Sequence, residues 1–334
     1  MNWVFVGAST IASQYVLNAV RSQSGNDVTW IVSGSAGRAS DWAKLHNIPN
    51  PTTDIAEALA DDHTQAVYIS STNEKHFSQA MKAIAAGKHV LCEKPLAMTR
   101  AEAVEMVAAA EKANTIFATN HHLRCSGSHR KIRELVKSER MGKVLSLRIF
   151  HAVHLPPHLQ GWRINDAAAG GGVIPDITVH NADTARFILD EDPVDVVAQM
   201  TASGMGDGVE DSAMSIWSMP SGTMVFSHES FTHPFAGSGL EVHGTKGSIF
   251  ARDVMTQEPT GHIKLITQAG QDVIPFSTHS LYQRGLADFV GAVNGPGRPA
   301  ADGADGVKSL AVALAVRKAA KSGQRATVIY DGVA

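Results

Sequence analysis

Val4-Phe5-Val6-Gly7-Ala8-Ser9-Thr10-Ile11-Ala12 is the stretch that decides the fold of this 334-residue chain. An apolar run of strand type ends in a glycine, and a helical pattern follows from Ile11 to Val20. A tight strand-to-helix turn of this kind aims backbone N–H groups and the positive end of a helix dipole at a bound phosphate. In dinucleotide-binding folds the turn reads G-x-G-x-x-G. Here it reads G-x-S-x-x-A, with Ser9 and Ala12 in place of the later glycines. Taken alone it is equally a structural strand-turn-helix, so its surroundings decide the reading.

Those surroundings alternate. Buried-strand runs at Trp3-Val6, Val28-Val32, Ala66-Ile69, His89-Leu91 and Ile116-Ala118 are separated by helical patterns, including Lys75 to Ala86 and Arg100 to Ala113. Apolar strands spaced by helices imply βαβ crossovers and a parallel sheet covered on both faces. Thr99 and Glu102 have the spacing of a capping box. After His122 the rhythm changes to longer alternating strands at Val144-Val153, Val194-Thr201, Ala213-Trp217 and Thr223-His228, the pattern of an antiparallel sheet with one polar face. Gly244-Thr245-Lys246-Gly247 reads as a hairpin turn. Helical patterns at Leu281-Val293 and Val307-Ala320 precede a last strand near Arg325-Ile329. The expected organisation is α/β plus α+β: a Rossmann dinucleotide-binding domain over 1–122, then a substrate domain over 123–334 built on a large open, mainly antiparallel sheet.

Composition narrows the partners. Lys and Arg number 29 against 32 Asp and Glu, so no basic excess exists to bind nucleic acid or an anionic membrane surface. The longest apolar runs, such as Leu310 to Val316, are too short to span a bilayer. The opening strand pattern is not that of a signal peptide, and two cysteines, Cys92 and Cys125, build neither a disulfide framework nor a zinc site. The expectation is a cytoplasmic, reduced protein acting on a small molecule, as a monomer or homodimer. His121, His122 and His129 lack supporting cysteines or carboxylates at metal-ligand spacing, and no metal is expected.

Three further segments carry chemistry. After the second strand come Ser33-Gly34-Ser35 and Arg38, with no Asp or Glu to accept from a ribose 2′-hydroxyl; small hydroxyls with an arginine suit a 2′-phosphate instead. A charge-assisted contact of that kind is worth about 1.5–3 kcal/mol. The alternative is a solvated loop with a capping serine and a surface arginine. Glu93-Lys94-Pro95 follows a strand whose carboxyl end faces the ligand crevice in an open α/β sheet, although an exposed loop lysine reads the same way. Cys92 reads as a buried small residue. Gly170-Gly171-Gly172 leads into Asp176 and His180, four apart. On one helical face they would act together, the imidazole exchanging a proton and the carboxylate orienting it. Asp176 as a simple N-cap and His180 as a satisfied core residue remain open.

In this order the segments resemble the glucose-fructose oxidoreductase/inositol dehydrogenase/rhizopine catabolism family of sugar oxidoreductases, over essentially the whole chain. The signature is Glu93-Lys94-Pro95 after a Rossmann opening, then the glycine run and Asp176-x-x-x-His180. The likeness extends through Thr119-Asn120-His121-His122-Leu123-Arg124, Leu155-Pro156-Pro157-His158-Leu159-Gln160-Gly161-Trp162-Arg163 and Val254-Met255-Thr256-Gln257. The resemblance implies hydride transfer from NADPH, preferred over NADH, to the ketone of a cyclic sugar. It makes Lys94, His180 and Asp176 catalytic. It places the cofactor against Gly7, Ser9, Thr10, Ile11, Ser33, Gly34, Ser35, Arg38, Ser71, Thr72, Asn73, His76, Glu93, Lys94, Asn120, Trp162 and Arg163. The sugar would meet Lys94, His151, His158, Trp162, Arg163, Asp176 and His180. Two departures stand out: Ser13 where an arginine is expected, and His154 where a tyrosine is. An NAD-dependent polyol or inositol dehydrogenase, an NAD-dependent glycosidase and a non-catalytic NADPH-binding regulator are the competing readings.

Overall fold

The computed structural model describes residues 1–332. Among them, six parallel strands, β1 (Asn2–Val6), β2 (Asp27–Val32), β3 (Asn50–Thr52), β4 (Thr64–Ile69), β5 (His89–Cys92) and β6 (Phe117–Thr119), stand in the order β3-β2-β1-β4-β5-β6. This is the doubly wound order of a Rossmann sheet, reversing direction between β1 and β4. Trp3, Val4, Phe5 and Val6 are buried, as a central strand covered on both faces requires. The intervening helices are α1 (Leu17–Arg21), entered through a π-helical turn at Ala12–Val16, α2 (Ala36–His46), α3 (Ile55–Leu59), α4 (His76–Ala85) and α5 (Arg100–Ala113). Thr99 caps α5 from both directions: its hydroxyl accepts from the Glu102 N–H at 3.2 Å, and the Glu102 carboxylate accepts from the Thr99 N–H at 3.0 Å.

Helix α6 (Gly127–Val136) opens the second sequence region. The strands that follow are β7 (Val144–Ala152), β8 (Asp195–Thr201), β9 (Ser212–Ser218), β10 (Met224–Ser230), β11 (Ser238–Gly244), β12 (Gly247–Arg252), β13 (His262–Thr267), β14 (Gly270–Ile274) and the two-residue β15 (Ala326–Thr327). Among the described residues they form a nine-stranded sheet in the order β14-β13-β12-β11-β7-β10-β9-β8-β15. Its pairs are antiparallel except β7 with β10, which makes it a mixed sheet. The expected hairpin at Gly244–Gly247 joins β11 to β12. One face of this sheet is buried: Leu147, Ile149, Trp217, Val225, Leu240 and Val242 pack with α8 (Val179–Leu189), which follows the short α7 (Trp162–Asn165).

The chain then returns to the first sheet. Helix α9 (Leu281–Asn294) sets Phe289 against Trp3 of β1, ring centroids 5.3 Å apart, and Tyr282 against Tyr15 at 4.9 Å. The chain accordingly divides into two compact units, Met1–His122 with Tyr282–Val307, and Leu123–Leu281 with the stretch from Lys308, the second division falling inside α10 (Gly303–Ser322). A single cut at 122/123 leaves out this return, which aromatic burial on Trp3 explains. No helix among the described residues is long and apolar enough to cross a membrane.

Candidate functional site

In the first unit the sheet reverses order between β1 and β4, and that is where an open α/β sheet leaves a crevice outside its strand ends. Gly7 turns the chain there with φ +106°, and a Cβ on it would lie 2.7 Å from the Ser70 and Ser71 backbone. Only glycine fits so close an approach at positive φ. Ser70 stitches the crevice floor: its N–H donates to Val6 at 2.8 Å, its hydroxyl donates to the Gly7 carbonyl at 3.1 Å, and the Ser9 hydroxyl donates to it at 2.8 Å. Ser9 also accepts from the Ala12 N–H at 3.2 Å. Thr10 and Ile11 stand in the first turn of the following helix, where N–H groups find no intrahelical acceptor.

The β2 loop meets this turn. Ser33 is buried and its N–H donates to Thr52 at 3.1 Å, Gly34 is exposed, and the Ser35 hydroxyl caps α2 by accepting from the Arg38 N–H at 3.4 Å. The Arg38 guanidinium donates to the Ala8 carbonyl at 3.3 Å, so its charge lies beside the β1 turn. Ser35 thus spends its hydroxyl on the helix, as the structural alternative had it. Ser13, where the resemblance wants arginine, hydrogen-bonds His46 at 3.0 Å.

Beyond β4 and β5 the loops are tied to each other. The Ser71 hydroxyl donates to Gln79 at 2.6 Å, Thr72 to Glu74 at 2.8 Å, and Asn73 is buried. His76 places one ring nitrogen 2.9 Å from the Pro95 carbonyl and the other 3.2 Å from that of Ser71. Burial lowers its pKa, against the pull of those two carbonyls, and a neutral ring donates to one of them. Glu93 is buried and accepts from the Tyr68 phenol at 2.7 Å and from the Asn120 amide at 2.6 Å. Burial, with the Glu93 carboxylate beside it, pushes the Tyr68 pKa well up and keeps the phenol a donor. Asn120 holds its own strand end through its N–H to Cys92 at 2.8 Å. Lys94, half-buried, follows Glu93 with a cis peptide to Pro95. Cys92 is a buried thiol whose pKa burial pushes well up, an inert packing residue. Because all six strands are parallel, Gly7–Ile11, Ser33–Arg38, Ser71–His76, Glu93–Lys94 and Asn120 share one edge of the sheet.

The remaining candidates lie in the second unit. Asp176 and His180 span a junction: Asp176 is the third residue of a π-helical turn (Ile174–Thr178) and His180, buried, is the second residue of α8. Asp176 is therefore not an N-cap. It faces Arg163, whose Nε lies 3.5 Å from its carboxylate, and the Arg163 guanidinium also covers the Trp162 ring at 4.7 Å. Trp162, Arg163 and Asp176 thus form one group. His151, on β7, stands opposite the buried Glu229 of β10 in register. His158 is exposed, and His154, also exposed, bridges to Thr232. Among the described residues no three His, Cys, Asp or Glu side chains are grouped to hold a metal.

Sequence reasoning missed what anchors α8. Asp183 and Arg124 form a buried bidentate ion pair, with contacts from 2.7 to 3.1 Å, and Ser309 donates to Asp183 at 3.2 Å. Arg186 pairs with Asp192 at 2.6 Å. On the sheet side the Asn181 amide donates to Ser227 at 3.0 Å, and Ser227 lies 3.2 Å from both carboxylate oxygens of Glu229. Burial pushes the Glu229 pKa up to about 7, with the Thr178 and Ser227 hydroxyls offsetting part of that rise. The available signal was polar residues on a helix with no polar face, since Asn181, Asp183, Thr184 and Arg186 are all buried.

Comparison with known proteins covers both units. The family model "Oxidoreductase family, NAD-binding Rossmann fold" matches residues 1–121, and "GFO/IDH/MocA C-terminal domain" matches residues 129–250. The chain is 48% identical over 327 residues to the 1,5-anhydro-D-fructose reductase of Ensifer adhaerens, covering 98% of each. It is 29% identical over 276 residues to the myo-inositol 2-dehydrogenase of Thermotoga maritima, 79% of this chain and 80% of that one. The crystal structure of the aldose-aldose oxidoreductase from Caulobacter crescentus superposes with a TM-score of 0.89 at 23% identity, over 98% of this chain and 99% of that one, a likeness of fold.

Proposed function

The chain belongs to the GFO/IDH/MocA family of oxidoreductases, and from that premise we propose that it is an NADPH-dependent reductase of a cyclic keto-sugar. The substrate read here is 1,5-anhydro-D-fructose, reduced at its C2 ketone to 1,5-anhydro-D-mannitol. The observation that carries this reading is the 48% identity to the Ensifer adhaerens reductase over 98% of both chains.

The β1 turn and the first turn of the following helix would take the pyrophosphate on backbone N–H groups, in the cradle where Gly7 admits no side chain. The β2 loop offers no carboxylate, while Arg38 keeps its charge beside Ala8, which favours a 2′-phosphate over a bare ribose. Bound NADPH supplies the hydride. In this chain Lys94 holds the carbonyl oxygen with its ammonium and stabilises the negative charge that grows there. His180 gives that oxygen its proton, and Asp176 orients the imidazole, its own carboxylate held by Arg163. Trp162, His151 and His158 serve the sugar.

The test is the initial rate of absorbance loss at about 340 nm with 1,5-anhydro-D-fructose and either NADPH or NADH at matched concentration. Oxidation of NADPH well ahead of NADH is expected. Tight NADPH binding without oxidation of either would remove the substrate, and equal rates with both would remove the role given to Arg38.

A further inference from the structure

We infer that Glu210, locked by Arg317, is the N-terminal cap of the helix that carries Asp176 and His180, supplied from a distant loop, and so a positioning residue for proton delivery. This rests on the proton-donor reading of those two residues. The π-helical turn at Ile174–Thr178 opens on Val173, a residue with no side-chain hydrogen bond to offer as a cap. A helix start leaves its first N–H groups without intrahelical acceptors. Glu210 takes two of them: its carbonyl accepts from the Val173 N–H at 2.9 Å, and its carboxylate oxygen Oε1 accepts from the Ile174 N–H at 3.3 Å. A carboxylate is also what the positive end of a helix dipole favours. Arg317 Nη2 lies 2.9 Å from the same oxygen and fixes the carboxylate in place.

The neighbouring backbone has been shaped around that carboxylate. Gly172 has φ +112°, and a Cβ there would lie 2.6 Å from Oε1, 2.7 Å from Cδ and 2.9 Å from Oε2 of Glu210. The third glycine of the run is thus the space the cap occupies. Gly172 in turn donates to the Arg163 carbonyl at 2.8 Å, and Arg163 reaches Asp176, so the backbone packed on the cap is two links from that carboxylate. The loop presenting Glu210 is itself wound on Asp211, which accepts from the N–H groups of Ser203, Gly204, Met205 and Gly206 at 2.8–3.1 Å. These bonds outweigh burial and bring the Asp211 pKa down to about 2. A cavity of about 370 Å³ beside Glu210 and Arg317 leaves room for the carboxylate to swing if the arginine is lost.

The experiment compares Glu210→Ala, Glu210→Gln and Arg317→Met with the wild type and with His180→Ala. It measures kcat, KM, NADPH affinity and melting temperature, together with amide exchange at Val173 and Ile174. Displacement of a reacting group by an ångström costs on the order of a hundredfold in rate, so a kcat at least tenfold lower is expected for Glu210→Ala. KM and NADPH affinity should stay within about twofold, and exchange at those two amides should rise locally. Glu210→Gln keeps an acceptor for Ile174 and should recover most of kcat, while Arg317→Met should fall between. A normal kcat in Glu210→Ala beside a dead His180→Ala overturns the positioning role and leaves the proton donor intact. Equal losses of melting temperature in the Ala and Gln variants with kcat per folded molecule unchanged overturn it as well. Full turnover by His180→Ala overturns the proton donor, and the positioning role with it, while the exchange data still report whether the cap exists.

Discussion

Replacing Glu229 with Gln should make the protein more stable at high pH and change little at low pH. The carboxyl is wholly buried between the second sheet and the turn before α8, with Ser227 at 3.2 Å, and burial raises its pKa from the ordinary 4.5 to about 7. A group whose native pKa is raised holds a proton that the unfolded chain has already released. Stability therefore falls as pH rises through that interval and levels off above it. At 1.36 kcal/mol for each tenfold change in proton affinity, the whole penalty is about 3 kcal/mol, most of which develops between pH 5 and pH 8. Gln keeps the shape and a hydrogen-bonding partner for Ser227 but cannot ionise. Urea unfolding of both proteins at pH 5 and pH 8 gives the answer directly: the advantage of Glu229→Gln should grow by about 2 to 3 kcal/mol between them at constant m-value. A difference that is flat with pH to within about 0.5 kcal/mol would mean that Glu229 is ionised in the native state and that burial does not govern it.

Other substitutions test the remaining links. Lys94→Met and His180→Ala should each lower kcat about a hundred- to thousandfold with 1,5-anhydro-D-fructose while NADPH binding, followed by fluorescence titration, stays normal; unimpaired turnover in both would remove the assigned chemistry. With the 2′-phosphate role proposed for Arg38, Arg38→Ala should weaken NADPH about ten- to hundredfold and NADH far less, as read from the two dissociation constants, the loss of its bond to the Ala8 carbonyl falling on both cofactors alike. Gly7→Ala should abolish dinucleotide binding and lower the melting temperature, since its methyl would meet the Ser70 backbone at 2.7 Å; calorimetry with and without NADPH separates the two effects.

The parts of the fold that were legible in the sequence are those set by neighbours within a few residues. Gly7 after an apolar run, Thr99 with Glu102, and the switch from helix-spaced to alternating patterns after His122 each encode their geometry locally. Strand β3 was not legible because it is three residues long with Pro51 in the middle, which an edge position tolerates and a sequence pattern does not reveal. The short α3 and the start of α2, Ala36-Gly37-Arg38-Ala39-Ser40-Asp41, carry too little apolar periodicity to stand out. The parallel pairing of β7 with β10 depends on partners far apart in the chain, and alternation along a strand says which face is buried but nothing of the neighbour's direction. The return of α9 to the first sheet rests likewise on partners distant in the chain, Phe289 on Trp3 and Tyr282 on Tyr15 among them.

The same division runs through the candidate site and explains which of its residues a sequence can expose. Lys94, Asp176 and His180, as candidates, sit beside or shortly after local punctuation, a proline and a glycine run, which a sequence shows directly. The residues that anchor the helix carrying Asp176 and His180 sit beside nothing. Glu210 is a single acid in a loop, Arg317 a single base on a long helix, and Arg124 and Asp183 are separated by 59 residues, yet each becomes meaningful once the fold brings its partner within 3 Å or so. The third glycine of the run shows how the two kinds of information meet. From the sequence, Gly172 states only that no side chain is tolerated; the structure supplies the reason, a carboxylate from a distant loop occupying the space and capping the helix behind it. A glycine run ahead of a helix with no capping residue of its own is therefore a sign that the cap comes from elsewhere, and a distant acid paired with a base is where to look for it.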